Sequence, residues 1–158
     1  MTYLLLIIKL FCQEPEFNYQ ELACIIAEKE SQFQCQVVDP YNITYGRYQV
    51  TPHLIQKMGY YIPRTCEQQD EMIYKLFDLY EDILKIEEWE FKTVHGIFLH
   101  KTNLLIAMHF APYGTLRYLK YGVDFSNGLI SVSGLLRRYE KTNLYSSEGI
   151  LNIDILKF

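Results

Sequence analysis

Glu30 is the residue whose type and place in this sequence point most directly to chemistry. From Asn18 to Phe33 the apolar residues Tyr19, Leu22, Ile26 and Phe33 recur at helical spacing, and Ala23, Ile25 and Ala27 widen the stripe. Glu30 continues the row Leu22, Ile26, Glu30. A carboxylate on the core-facing side of an apolar row must be paired, protonated or placed in a cleft, because burying it unpaired costs several kcal/mol. Near the C-terminal end of its helix, the negative pole of the macrodipole also disfavours its charge. Both influences raise its pKa, and a carboxyl still protonated near neutral pH is a general acid. If the helix frays near Lys29, Glu30 is instead an ordinary solvated side chain. Glu28 falls on the opposite side of the helix and is no partner for Glu30.

The elements that must hold this acid are legible as a series of helices. After the first helix, Asp39-Pro40 and Asn42 mark turns and Gly46 a tight backbone, while Val37-Val38 and Tyr48 to Val50 suit a short hairpin. Thr51-Pro52 reads as an N-cap followed by proline at the first helical position, and Gly59 as a stop, predicting a helix from Pro52 to Met58. Thr65 and Gln68 form a capping box, and Met72, Ile73, Leu76, Phe77, Tyr80, Ile83 and Leu84 supply the stripe of a long helix. The charged run Glu87 to Glu90 around Trp89 reads as a solvated boundary. An apolar pattern from Asn103 to Phe110 is broken at Ala111-Pro112-Tyr113-Gly114 and resumes from Thr115 to Tyr121. A turn at Asn127-Gly128 and a helix from Val132 to Tyr139 follow. These segments predict one mostly α-helical domain with a small β or irregular insert after the first long helix.

Composition bounds the function. The 158 residues are 49% hydrophobic and 15% aromatic, which suits one compact domain and excludes disorder, coiled coil and collagen. Lys plus Arg number 15 against 19 Asp plus Glu, a net charge of -4, so no basic field favours nucleic acid. Fourteen Tyr and nine Phe against one Trp suit a cleft for a hydroxyl-rich ligand such as a carbohydrate, or reflect compositional bias alone. Cys12, Cys24, Cys35 and Cys66 contain no CxxC pair and no zinc spacing with histidine, so no metal or other cofactor is expected. Their even number permits disulfides. Cys24, inside the apolar helical pattern, reads as a buried inert thiol rather than half of a bridge. Thr2 to Cys12 is apolar but interrupted by Lys9 and shorter than the roughly 20 residues that span a bilayer, so no integral membrane segment is expected. This stretch, within an N-terminal segment of residues 1–17, is either an atypical leader or an extra folded element.

Three separated pieces fall in order: a helix ending in Glu30-Ser31, the loop Gly46 to Pro52 (GRYQVTP), and Ala107 to Leu119 (AMHFAPYGTLRYL). Together they resemble the lysozyme-like lytic transglycosylases that cleave peptidoglycan. In that family the catalytic glutamate is followed by serine at a helix end, then by a loop of the form Gly-Leu-Met-Gln-x-x-Pro, and, after a long capped helix, by Ala-x-Tyr-Asn-x-Gly-x-Gly. Glu30 and Ser31 match the first motif; Gly46, Gln49 and Pro52 match the second; Ala107, Ala111, Gly114 and Arg117 match the third. Thr65 to Gln68 resembles the usual start of the intervening helix. His109 stands where the family has Tyr, Phe110 where it has Asn, Pro112 where it has the first Gly, and Arg47-Tyr48 where it has Leu-Met. The likeness covers residues 18 to 121.

The resemblance implies a mainly α, lysozyme-like single domain over residues 18–158, acting on peptidoglycan glycan strands in the bacterial periplasm or cell envelope. A secretion-system or phage assembly partner would accompany such delivery. Glu30 would protonate the leaving glycosidic oxygen and then, as base, take a proton from the muramic acid hydroxyl as the anhydro ring closes. Ser31 would orient the carboxyl or an N-acetyl carbonyl, Gln49 would bond the acetamido group, and His109 would supply an aromatic hydrogen-bonding group beside the acid. Tyr48, Tyr113 and Tyr118 would stack on sugars or bind their hydroxyls. A two-carboxylate hydrolase needs a second acid about 5 to 9.5 Å from the first. The one acid in the loop after Glu30 is Asp39, which reads most simply as a turn residue, so transglycosylation is favoured over a muramidase. A non-catalytic glycan-binding or secretion-apparatus component is the competing class. A Cys/His hydrolase using Cys24 or Cys35 lacks any catalytic cysteine signature.

Overall fold

The computed structural model describes residues 16–39, 44–63 and 65–146. The apolar stretch Thr2 to Cys12, the turn residues Pro40 and Asn42 and the tail to Phe158 lie outside the described residues. Within them the protein is mostly helical with two small antiparallel sheets.

Helix α1 spans Tyr19–Ser31. Asn18 caps it by accepting from the Glu21 N–H, and Leu22, Ala23, Ile26 and Ala27 are buried. Phe33 does not extend this stripe. The chain leaves the helix at Gln32 in the left-handed conformation, Phe33 follows at φ 65°, and its ring is exposed. Cys24 is exposed rather than buried, because two residues beyond Leu22 it faces the other side of the helix. Cys24 is a free thiol, and Cys35 and Cys66 form a disulfide, a pairing that the even number of cysteines permits and the sequence does not select.

Strand β1 (Val38–Asp39) pairs with β2 (Thr44–Tyr45), Val38 opposite Tyr45 and Asp39 opposite Thr44. Tyr48 to Val50 is therefore not the second strand of the hairpin. Gly46 at φ 75° and Gln49 at φ 47° fold the intervening residues into a tight turn, so Val50 bonds back to Tyr45 instead. Helix α2 (Pro52–Lys57) has Thr51 as its N-cap and proline in its first turn, as the sequence indicates.

Helix α3 (Cys66–Leu84) carries the expected capping box between Thr65 and Gln68. Met72, Ile73, Leu76, Phe77, Tyr80 and Leu84 are buried, whereas Ile83 lies at the exposed margin of the stripe. A 3-10 turn, Ile86–Glu88, follows, and then a second hairpin that sequence patterning misses, β3 (Thr93–Val94) with β4 (Ile97–Phe98). Its two turn residues, His95 and Gly96, both have positive φ, the geometry of a tight hairpin turn.

Helix α4 (Lys101–Phe110) is buried continuously from Thr102 to Met108 and packs against α3, against α5 (Pro112–Tyr121) and against α6 (Val132–Arg138). Pro112 has no N–H to continue the helix, so α4 ends at Phe110, and α5 starts in a new direction through Ala111. Phe17, assigned from sequence to the N-terminal segment, belongs to the core and bridges to Tyr145. The buried hydrophobic residues form one continuous core. Among the described residues no helix is long and apolar enough to cross a membrane.

Candidate active site

The end of α1, the first hairpin, the end of α4 and the segment leading into α6 surround a groove of about 670 Å³. Glu30, the penultimate residue of α1, lies on its wall beside Ile25 and Ile26. Glu30 is exposed on the groove wall and not turned into the core as its row with Leu22 and Ile26 suggests, because the helix ends one residue later; the protein around the groove still desolvates its carboxylate and raises its pKa above the ordinary value.

His109 and Phe110 reach the groove because they end α4 just before its break. The Nε2–H of His109 donates to the Tyr48 carbonyl at 2.8 Å, which fixes the tautomer and leaves Nδ1 as a bare acceptor, without a hydrogen-bond partner among the described residues. Burial holds the imidazole pKa down to about 4, so the ring is neutral near pH 7. A neutral ring whose one N–H is committed adds no positive charge that would lower the pKa of Glu30. Behind it stands Tyr80, edge-on to the His109 ring at 6.1 Å between centroids. The negative charge of Glu30 reaches that phenol, whose pKa is raised chiefly by burial and then by Glu30. Tyr80 sits on the apolar stripe of α3, where periodicity cannot distinguish it from a core leucine.

Gln49 also lines the groove, but its amide is already engaged. Nε2 donates to the Gly46 carbonyl at 2.8 Å and to Val37 at 3.3 Å, and Oε1 accepts from Thr44 Oγ1 at 2.6 Å. It holds the left-handed turn closed, so the structure assigns it to the loop and not to an acetamido group. Ser31 is buried, and its hydroxyl lies 2.8 Å from the Arg47 carbonyl and 3.2 Å from that of Ala27. It ties the end of α1 to the Gly46 to Pro52 loop and is not on the groove wall. Tyr48 is likewise buried, donating to Asp70 Oδ1 at 2.7 Å. Tyr118 is buried edge-on against His95, and Tyr113 points outward, 81% exposed. Neither tyrosine lines the groove with Glu30. The sugar-binding roles expected of Ser31, Tyr48, Tyr113 and Tyr118 therefore have no support in their positions.

The loop facing Glu30 is fixed from behind by α3. Gln69 Oε1 accepts the Arg47 N–H at 2.6 Å and Gln69 Nε2 donates to the Cys35 carbonyl at 2.9 Å. The Arg47 guanidinium meets both oxygens of Asp70, at 2.8 and 2.9 Å. Consequently β1 and β2 present Asp39 and Thr44 to the same groove as Glu30. Asp39 is thus a wall residue as well as part of a strand, a placement that its position before Pro40 does not announce. Phe125, Asn127, Ile130, Arg138 and Tyr139 form a further stretch of wall, where the sequence shows only a turn at Asn127 and the end of a helix at Arg138 and Tyr139.

No protein-family model matches the chain, and no curated protein or solved structure matches it. What the groove does must follow from its own side chains: a carboxyl biased toward its protonated form, a neutral imidazole, a second carboxylate and aromatic walls. That set can deliver a proton to a leaving oxygen in a ligand long enough to lie along an open groove.

Proposed function

We propose that the protein cleaves the β-1,4 bond between N-acetylmuramic acid and N-acetylglucosamine in peptidoglycan, as a lytic transglycosylase on a lysozyme-like fold. The observation that carries this reading is the Glu30 carboxyl, held toward protonation on the wall of an open groove. Glu30 gives its proton to the glycosidic oxygen as the C1–O bond breaks. The resulting carboxylate then takes the proton from the muramic acid 6-hydroxyl as that oxygen bonds to C1. Peptidoglycan lies outside the cytoplasmic membrane, so this substrate implies delivery to the cell envelope. The Cys35–Cys66 disulfide suits an oxidising compartment of that kind.

A muramidase is the second reading, and Asp39 favours it, because the hairpin sets a second carboxylate on the groove that holds Glu30. Glycan release from purified peptidoglycan tests both. Glu30→Gln should lower release by at least about 100-fold, the usual scale for losing a general acid. In the wild type, release should fall as pH rises through the raised pKa of Glu30. Equal release by the two proteins would remove the enzymatic reading in favour of a glycan-binding component. Fragments with 1,6-anhydro ends support transglycosylation, whereas reducing ends lost in Asp39→Asn would establish the hydrolase.

A further inference from the structure

The resemblance to transglycosylases ends at residue 121, yet part of the groove is built by residues beyond it. Ser131 caps α6 by accepting from the Gly134 N–H, and Asp124 accepts from the backbone and hydroxyl of Ser133, so the segment from 124 to 133 is folded back on itself. Gly114 admits this segment: a Cβ there would stand 2.7 Å from Cβ of Phe125. Phe125 then meets Phe110 at 6.0 Å between ring centroids, and the two aromatic rings line the groove together. Along that wall, in the last turn of α6, stands Arg138, and Lys29 of α1 lines the same groove. Both cations are solvent-accessible, and neither is in an ion pair among the described residues. Glu30 and Asp39 line the same groove, so its cations and carboxylates are equal in number, and an anion preference there belongs to Arg138 and Lys29 locally and not to a positive field along the groove.

We propose that Arg138, with Lys29, forms an anion subsite that receives a carboxylate carried by the glycan, so that the groove selects muramoyl glycans over neutral chitin. The proposal rests on the reading of the groove as a glycan-cleaving site and names what that site discriminates. The planar guanidinium pairs with a carboxylate through two parallel hydrogen bonds, and Lys29 adds a point charge. The carboxylate has two sources in peptidoglycan, the free lactyl group of an unsubstituted muramic acid or the acidic groups of an attached peptide.

Calorimetric binding to the full chain carrying Glu30→Gln distinguishes these, with chitotetraose, a disaccharide of N-acetylglucosamine and N-acetylmuramic acid, and muramoyl dipeptide as probes. We expect at least one muramoyl probe to bind about fivefold tighter than chitotetraose at low salt, with the preference shrinking as salt screens the contact. Adding Arg138→Gln should abolish the preference for muramoyl probes over chitotetraose, and Arg138→Lys should restore part of it. Tight binding of the disaccharide identifies the lactyl carboxylate, and of the dipeptide alone, the peptide. Equal affinity for all three saccharides, or a preference that survives both Arg138→Gln and Lys29→Gln, overturns the subsite while leaving glycan cleavage standing. Failure of the wild type to release any glycan from peptidoglycan defeats the underlying reading, and the subsite falls with it.

Discussion

His109 carries two constraints in one ring. Its Nε2–H is fixed on the Tyr48 carbonyl, and burial lowers its pKa from an ordinary value near 6.5 to about 4. A depressed histidine pKa means that the unfolded chain binds a proton, between those two values, that the folded one refuses. Stability owed to this group is therefore present above pH 6.5 and is lost as pH falls toward 4. Discounted for a ring that partly faces the groove, the loss is about 2 kcal/mol. Denaturant midpoints at pH 7 and pH 4.5 should show it in the wild type and show much less of it in His109→Gln. Should the variant lose as much stability as the wild type, or should the His109 imidazole signal titrate near 6.5 by NMR, the neutral-ring account is wrong. Glu30 has the opposite sign, its raised pKa costing stability as pH rises through it. The acid could be picked out in the sequence because its row is local, Ile26 and Leu22 being one and two turns away. The fates of Tyr48 and Ser31 were not, since their hydroxyls meet Asp70 and Arg47, partners 22 and 16 residues away that no local pattern connects to them.

Among the elements, the loop between the first hairpin and α2 bears the tightest packing. Gly46 has φ 75°, and a Cβ on it would fall 2.3 Å from Gln69 Oε1, the atom that accepts the Arg47 N–H. Gly46→Ala therefore meets both a left-handed backbone penalty of about 1 kcal/mol and the displacement of a bonded amide, together about 2 to 4 kcal/mol. Removing that amide with Gln69→Ala is itself destabilising, because it leaves the Arg47 N–H and the Cys35 carbonyl without their partner. Urea unfolding of the double variant should give a loss smaller than the sum of the two single losses, as expected where one change makes room for the other. Simple additivity would show that Gly46 and Gln69 do not press on each other. Helix caps and periodic stripes, such as Thr65 with Gln68 and the run to Leu84, were readable because their bonds span three or four residues. The turn at His95-Gly96 escaped because its flanking strands are two residues each, too short to show alternation. The pairing of Val38 with Tyr45 escaped because the second strand is only Thr44 and Tyr45, and the chain then turns at Gly46 and Gln49 so that Val50 folds back on Tyr45.

Across the whole molecule, the groove joins segments more than a hundred residues apart, from Ile25 on α1 to Tyr139 after α6, and one covalent link secures the most irregular of them. Cys35 and Cys66, 31 residues apart, close a loop that contains the first hairpin, the Gly46 turn and α2. That loop contributes little to the core beyond Tyr48, Val50 and Ile55, whereas α3, α4 and α6 bury side chains along their length. The disulfide thus acts mainly on the unfolded chain, where closing a loop of this size removes entropy equivalent to about 3 to 4 kcal/mol. Cys35→Ser with Cys66→Ser should therefore lower the melting temperature and leave a molecule with native helical content. Because Asp39, Thr44 and Gln49 stand on the loop that has lost its staple, the proposed function predicts that glycan release falls by a larger factor than the fraction unfolded explains. Treating the wild type with a dithiol reductant should reproduce both effects and oxidation should reverse them. If the serine variant melts with the wild type, the bridge is not what secures this wall; if it melts lower but releases glycan in proportion to its folded fraction, Gln69 and the Arg47–Asp70 pair alone hold the groove in shape.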